Sequence, residues 1–387
     1  MAEDDRVYVQ LQRHMDKQAV GLPATPSRAE LKILRRVFTP RQAEIAAHLS
    51  YRPESAQTIY PRVKDLVGSA EELSGLLQDM QKNGAIGTVT KDGKSHYMIV
   101  PLAPGMMEMH VGRFTPELIS DLDQYLLEKK YGIAVLSTEL PQMRTIPIAA
   151  SISPQNKVST FDEVAVLVEQ AEPPFTVFDC MCRLKASRQG RKCKATDRIE
   201  TCVSFATMAE SVMSCGFGRK ISRGEALSIL QKSQEQGLVL QPSNTEKPEF
   251  ICSCCGCCCL QLHLHHMLPK PLDYWASNFH SVVDVDTCDG CGVCETGCQV
   301  QAITLSGEGQ TAVVNLSHCI GCGICVTTCP KKAVSLQKRP TETRPPKTRE
   351  ELYDIIMAKK KGTLGRLGVQ AKFAFDAIST GQRHLLK

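Results

Sequence analysis

Eight of the 19 cysteines in this 387-residue chain stand in two runs that repeat each other. CDGCGVCETGCQVQAITL, which begins at Cys288, returns as CIGCGICVTTCPKKAVSL from Cys319, an offset of 31 residues. Cys288, Cys291, Cys294 and Cys298 map onto Cys319, Cys322, Cys325 and Cys329, and Gly290, Gly292, Ala302 and Leu305 map onto Gly321, Gly323, Ala333 and Leu336. Three cysteines two residues apart can wrap a tight loop round one face of an iron-sulfur cubane. Their thiolates then reach three irons while successive backbone N–H groups point at the sulfurs. Glycines permit the close approach. The fourth cysteine opens the segment that leads away, so in such doubled motifs it ligates the other cluster. One 4Fe-4S cluster is therefore expected on Cys288, Cys291, Cys294 and Cys329, and a second on Cys319, Cys322, Cys325 and Cys298. Zinc fits this spacing poorly, because zinc sites use paired cysteines rather than runs of three plus one.

Over roughly fifty residues this stretch resembles the bacterial-type two-cluster 4Fe-4S ferredoxins. The resemblance implies a pseudo-two-fold pair of short hairpins and helices around two clusters, which pass single electrons between redox partner proteins. One departure stands out: Cys329 is followed by Pro330 as the pattern asks, but Cys298 is followed by Gln299. Val293, Ile303, Ile320, Ile324, Val326 and Val334 are expected to pack against the clusters and exclude water. No acid-base pair is built into either loop, and His318 reads as a surface histidine beside one.

A second set of thiols precedes this motif. Between Cys180 and Cys259, 80 residues hold 11 cysteines: Cys180, Cys182, Cys193, Cys202, Cys215, and the run ICSCCGCCC with Cys252, Cys254, Cys255, Cys257, Cys258 and Cys259. A further metal site, iron-sulfur by preference and zinc as the alternative, is expected between Cys180, Cys182, Cys193 and Cys202 on one side and the dense run on the other. Continued extended alternation would put Cys252, Cys254 and Cys258 on one face and Cys255, Cys257 and Cys259 on the other. Dithiol chemistry at Cys254–Cys255 or Cys257–Cys258 is disfavoured because neither pair has the C-x-x-C form. His263 and His266, three apart with His265 between them, are candidate ligands weighed against an ordinary helix face. The run resembles segments of multidomain 4Fe-4S proteins of anaerobic bacteria.

These sites need scaffolding, and the rest of the chain offers it. Thr39 before Pro40 reads as a helix N-cap, as does Ser69 with Glu72 three residues on, and Gly84 as a stop. GTVTKDGKSHYMIV alternates around Asp92-Gly93, a hairpin signal. Three helices followed by two strands resemble a winged helix-turn-helix domain over about a fifth of the chain. A DNA-reading helix wants cationic or amide side chains, yet this one offers Glu71, Glu72, Asp79 and only Lys82. DNA binding is therefore disfavoured against a docking or homodimerisation role. Helices are further expected over Thr115–Lys130, Thr160–Gln170 and from Ser222, capped by Glu225, to Gly237, with a short strand at IAVLST.

The fold class expected is α+β multidomain: an N-terminal segment (1–26), a winged-helix-like domain (27–112), a cysteine-rich α/β domain (113–275), the ferredoxin-like domain (276–338) and a basic helical tail (339–387). Lys plus Arg number 46 and Asp plus Glu 41, a net charge of +5, too small a bias for a nucleic-acid coat. From Arg339 onward 11 Lys/Arg stand against 5 Asp/Glu, a bias that reads equally as cations complementing a helix end or as docking on an acidic partner, with a short apolar face for a membrane surface. The acidic start and the lack of long apolar runs point to a cytoplasmic protein without a membrane span, a compartment where thiols stay reduced and serve as metal ligands. The function expected is electron transfer. A redox-responsive winged-helix regulator is the alternative, and no nucleophile-base pair marks an enzyme.

Overall fold

The local start and stop signals set most of the first elements. Thr39 and Gln42 exchange both bonds of a capping box, Gln42 N donating to Thr39 Oγ1 at 3.3 Å and Thr39 N to Gln42 Oε1 at 3.0 Å. They open the helix Pro40–Ala46, which follows Glu3–Lys17 and Ala29–Val37. The computed structural model describes residues 3–128, 130–136, 138–152, 159–306 and 310–386. It is α+β and divides into two compact units. One gathers 1–139, 204–220 and 353–369; the other gathers 140–203, 221–352 and 370–387.

In the first unit the stretch between helices at 51–68 is more regular than its sequence announces. It holds a two-residue strand β1 (Glu54–Ser55) and a helix Ala56–Val63, whose first turn is capped where Ser55 Oγ accepts from Thr58 N at 3.2 Å. The helix Ala70–Lys82 follows, capped by Ser69 and ended before Gly84 at φ 77°. Strands β2 (Gly87–Lys91) and β3 (Lys94–Met98) pair across Asp92 and Gly93, both at positive φ, as a primed two-residue turn requires. β1 joins the far side of β3, giving the order β1-β3-β2. Leu34, Ile45, Ile59, Leu73, Leu77 and Met80 are buried beneath. The helix expected from Thr115 runs over Pro116–Leu127. The strand expected at IAVLST is instead a helix, Lys130–Leu136: an apolar run this short carries no period that separates helix from strand.

The second unit holds every cysteine named above except Cys215, which lies buried in the first unit with its thiol donating to Gln81 O at 3.4 Å. A five-stranded sheet comprises β4 (Phe175–Asp179), β5 (Glu200–Phe205), β6 (Arg219–Ile221), β7 (Val239–Pro242) and β8 (Phe250–Cys254), in the order β6-β4-β5-β8-β7. Ser222 caps the helix Arg223–Glu235 by accepting from Glu225 N at 3.1 Å. Beyond it lie β9 (Phe279–Val283), β10 (Ile303–Ser306), β11 (Thr311–Val314) and β12 (Val334–Lys338), with one-turn helices Val293–Gly297 and Ile324–Thr328. β10 pairs with β11 as a hairpin, whereas β12 returns to pair with β9. The two sequence repeats thus interlock rather than stand side by side.

In the tail, helices Arg349–Ala358 and Thr363–Ser379 use much of their charge internally. Within the first unit, Arg366 pairs with Asp16 at 3.1 Å and Lys361 with Glu139 at 3.2 Å. Within the second, Lys372 reaches Asp273 and Asp376, both at 2.6 Å. Among the described residues no helix is long and apolar enough to cross a membrane.

One buried ion pair braces the second unit. Arg144 Nε lies 3.4 Å from Asp162 Oδ1, and its Nη1 donates to Ser243 O at 2.6 Å and Thr245 O at 2.9 Å. Asn278 Nδ2 donates to Asp162 Oδ2 at 2.7 Å. Burial pulls the guanidinium down to about 10 and pushes the carboxyl up, so each charge depends on the other's presence. Arg144→Met should lower stability by about 3–5 kcal/mol, read as a fall in the urea midpoint, and adding Asp162→Leu should restore most of it.

Candidate metal centres

The offset of 31 residues reappears as hydrogen bonds. Cys288 N donates to Asp284 O at 3.0 Å and Cys319 N to Asn315 O at 2.9 Å; Asp284 N donates to Ala333 O and Asn315 N to Ala302 O, both at 2.8 Å. The sulfurs receive backbone donors in the same paired manner. Ala312 N reaches Cys288 Sγ at 3.5 Å and Ser281 N reaches Cys319 Sγ at 3.4 Å, while Ala302 N reaches Cys298 Sγ at 3.2 Å and Ala333 N reaches Cys329 Sγ at 3.3 Å. The loop glycines explain how the chains come so close. Gly290 and Gly321 both adopt positive φ, and a Cβ on either would sit 2.5 Å from Gln310 O or 2.2 Å from Phe279 O. No other residue fits either place without shifting a strand.

Cys288, Cys291, Cys294 and Cys329 line one shallow hollow, together with Gly292, Leu305, Ala312 and Pro330. Cys329 comes from the other repeat. Cys322 lies among Cys298, Cys319 and Cys325, so Cys298 crosses in the opposite sense. Burial pushes the thiols of Cys298, Cys322 and Cys325 up, the last to about 12; a thiol so placed becomes a thiolate by binding a metal cation. Of the apolar residues expected around the sulfurs, Ile303, Ile320, Ile324 and Val334 are buried and Val326 is half-buried. Val293 is not: it is 42 % exposed, at the start of a one-turn helix on the rim of the hollow.

Residues 287–344 match the 4Fe-4S dicluster domain. No curated protein and no solved structure gives a match to the chain. The dicluster domain points to iron-sulfur electron transfer. The sulfur-lined hollow, the backbone donors and the glycines at close approach fit clusters of that kind.

The ten cysteines of the middle region come together as two sets. Cys193, Cys255, Cys257 and Cys258 have sulfurs all within 4.8 Å of one another. Cys193 Sγ lies 3.6 Å from both Cys255 Sγ and Cys257 Sγ, Cys257 and Cys258 are 3.7 Å apart, and Lys194 N donates to Cys257 Sγ at 3.3 Å. Cys180, Cys182, Cys202, Cys252, Cys254 and Cys259 make up the other set. The grouping expected from unbroken alternation places Cys258 and Cys259 on the wrong sides. β8 stops at Cys254, and a turn closes with Cys258 N and Cys259 N both donating to Cys255 O, so period two ends there. That turn delivers Cys259 back towards Cys254 and Cys258 towards Cys193.

Among the described residues no histidine joins the four-sulfur group: His263 bonds the backbone of Gly256 and Cys257 within the cysteine turn, and His266 that of Gln299. His265 is buried on the helix Leu260–His266 with Nε2 2.9 Å from His318 O, and its ring stands edge-on to Trp275, His266 and His318. Burial lowers its pKa to about 3, so it stays neutral. His318, expected at the surface, is half-buried in this stack.

Gln299, where proline was expected, has a structural role. Its Oε1 accepts from Gly256 N at 2.7 Å, in the middle of the dense cysteine run, and a Cβ at Gly256 would lie 2.4 Å from Gln299 O. The departure from the ferredoxin pattern is thus a contact between the two sulfur-rich regions, which a lone sequence does not reveal. Gly256→Ala should cost about 1–3 kcal/mol through overpacking. Gln299→Pro should leave the Gly256 amide without its acceptor, and hydrogen exchange at that amide should accelerate in the folded protein.

Proposed function

We propose that this chain is an electron-transfer protein with one 4Fe-4S cluster on Cys288, Cys291, Cys294 and Cys329 and another on Cys298, Cys319, Cys322 and Cys325. The crossing of Cys329 into the hollow of the first repeat carries the reading. Bound there, such clusters supply reversible one-electron carriage. The chain's own part is to bind and insulate. Ile303, Ala312 and Val334 form a buried apolar layer beside Cys288, Cys294 and Cys329, and the four backbone N–H donors lower the cost of negative charge on sulfur. Cys291 is exposed, which gives a redox partner protein its approach.

Cys193, Cys255, Cys257 and Cys258 are read as a structural single-ion site, with zinc as the ion. A tetrahedral ion with bonds of about 2.3 Å holds its thiolates about 3.8 Å apart, and the three short separations here are 3.6–3.7 Å. A cubane, with four irons and its own sulfides between the ligands, spreads them wider.

The order β1-β3-β2 behind the helices Ala56–Val63 and Ala70–Lys82 supports the winged-helix-like reading of the N-terminal domain. Glu71 and Asp79 on the second of these helices, with Arg41 already paired to Glu72 at 2.5 Å, favour a protein-docking role over DNA.

Iron analysis and electron paramagnetic resonance after anaerobic purification test the ligand sets. Cys291→Ser and Cys322→Ser should each remove about four irons and a different one of two cluster signals. Loss of the same signal in both variants contradicts the crossed assignment. Cys257→Ser should remove about one zinc per chain and leave the ferredoxin iron in place.

A further inference from the structure

The six remaining thiols of the middle region form a closed circuit. Cys180 neighbours Cys182 and Cys202; Cys182 and Cys254 both neighbour Cys259; Cys252 neighbours Cys202 and Cys254, with β5 and β8 adjacent in the sheet. Four elements contribute: the start of the helix Met181–Arg188, β5, β8 and the N-cap of Leu260–His266. Cys180, Cys202, Cys254 and Cys259 are buried and the other two are half-buried. Yet no three of these sulfurs fall within 4.8 Å of one another, the separation that Cys193, Cys255, Cys257 and Cys258 all satisfy. The circuit is too wide for one tetrahedral ion and too rich in thiols to need only one.

Arg183 supplies an independent observation. It is 2 % exposed, and among the described residues no carboxylate pairs with it. Nη1 donates to Ser253 O at 2.9 Å, Nη2 donates to Thr201 Oγ1, and Nε has no partner. The charged or ionisable groups that act on it most strongly are Cys180, Cys202, Cys255 and Cys254. A guanidinium buried without an anion is strongly destabilising. Negative charge nearby favours keeping one here, and three of its four strongest such neighbours, Cys180, Cys202 and Cys254, belong to the thiol circuit.

We infer that Cys180, Cys182, Cys202, Cys252, Cys254 and Cys259 hold a polynuclear iron-sulfur centre, separate from the single-ion site and from the two ferredoxin clusters. Soft thiolates select iron-sulfur, zinc or cuprous centres. A dry setting and a spread wider than one ion favour a core bridged by sulfide, whose net negative charge Arg183 offsets. The centre adjoins the second ferredoxin site rather than the first. Cys252, Cys254 and Cys259 share one apolar layer with Cys298, Cys319 and Cys322, formed by Leu262, Val300, Ile320 and Ile324.

The test is iron, zinc, copper and acid-labile sulfide per full-length chain after anaerobic purification, with electron paramagnetic resonance of the two ferredoxin signals as the internal control. The wild type should hold about twelve irons or more with about one zinc. Cys202→Ser/Cys252→Ser should fall to about eight irons and keep its zinc and both ferredoxin signals. Arg183→Met should lose iron from the circuit in the same way, without removing a ligand. About eight irons in the wild type, unchanged iron in the circuit variant, or copper in place of the additional iron would overturn the inference. Its failure is distinguishable from failure of the ferredoxin reading, which would appear as the absence of both ferredoxin signals whatever the iron total.

Discussion

Thiol-lined space does not hold itself open. An unfilled gap forfeits the dispersion contacts of its walls, so loops bearing cysteines close up or pair wrongly unless the backbone around them is fixed. The ferredoxin-like module meets this constraint by making each repeat hold the other. Asp284 N and Asn315 N reach across to Ala333 O and Ala302 O, Ser281 N and Ala312 N reach the sulfurs of Cys319 and Cys288, and Gly290 and Gly321 let the strands approach to distances that exclude a side chain. Neither half supplies these partners alone, and the hollow beside Cys291 exists because Cys329 arrives from the other half.

The middle region meets the same constraint differently. A strand that ends at Cys254 and a turn over Cys255–Cys259 split six nearly consecutive cysteines between two sites. The turn is held from outside by Gln299, whose side chain takes the Gly256 N–H and whose backbone leaves no room for a Cβ there. The sulfur-rich regions of the second unit are therefore one packed body, with Cys254, Cys259 and Cys319 buried in the same apolar layer. Changing the turn after Cys298 changes the support of the turn after Cys254.

Much of this was legible in the residues. The internal repeat located the two cysteine runs, and the dicluster domain matched at 287–344 covers both of them. Thr39, Ser69 and Ser222 act as the caps their neighbouring residues announce, and Thr115 and Ser55 are caps as well; the helix that Ser55 opens is hidden by Pro61, a residue that argues against one. What could not be read depends on distant partners. The short apolar run Ile133–Leu136 has no period to identify it, and the split of the middle cysteines follows from where β8 stops. Arg183 sits in an unremarkable helix by sequence; only its burial without a carboxylate gives it meaning.

The central claim is that the module holds two clusters that each carry one electron. A reductive titration of the anaerobic full-length protein, followed by electron paramagnetic resonance, tests it directly. The two signals that Cys291→Ser and Cys322→Ser remove one each should grow in, each with the potential dependence of a one-electron couple. A protein that stays silent at every potential, or that gives only the signal of a mononuclear tetrathiolate iron, would contradict the account.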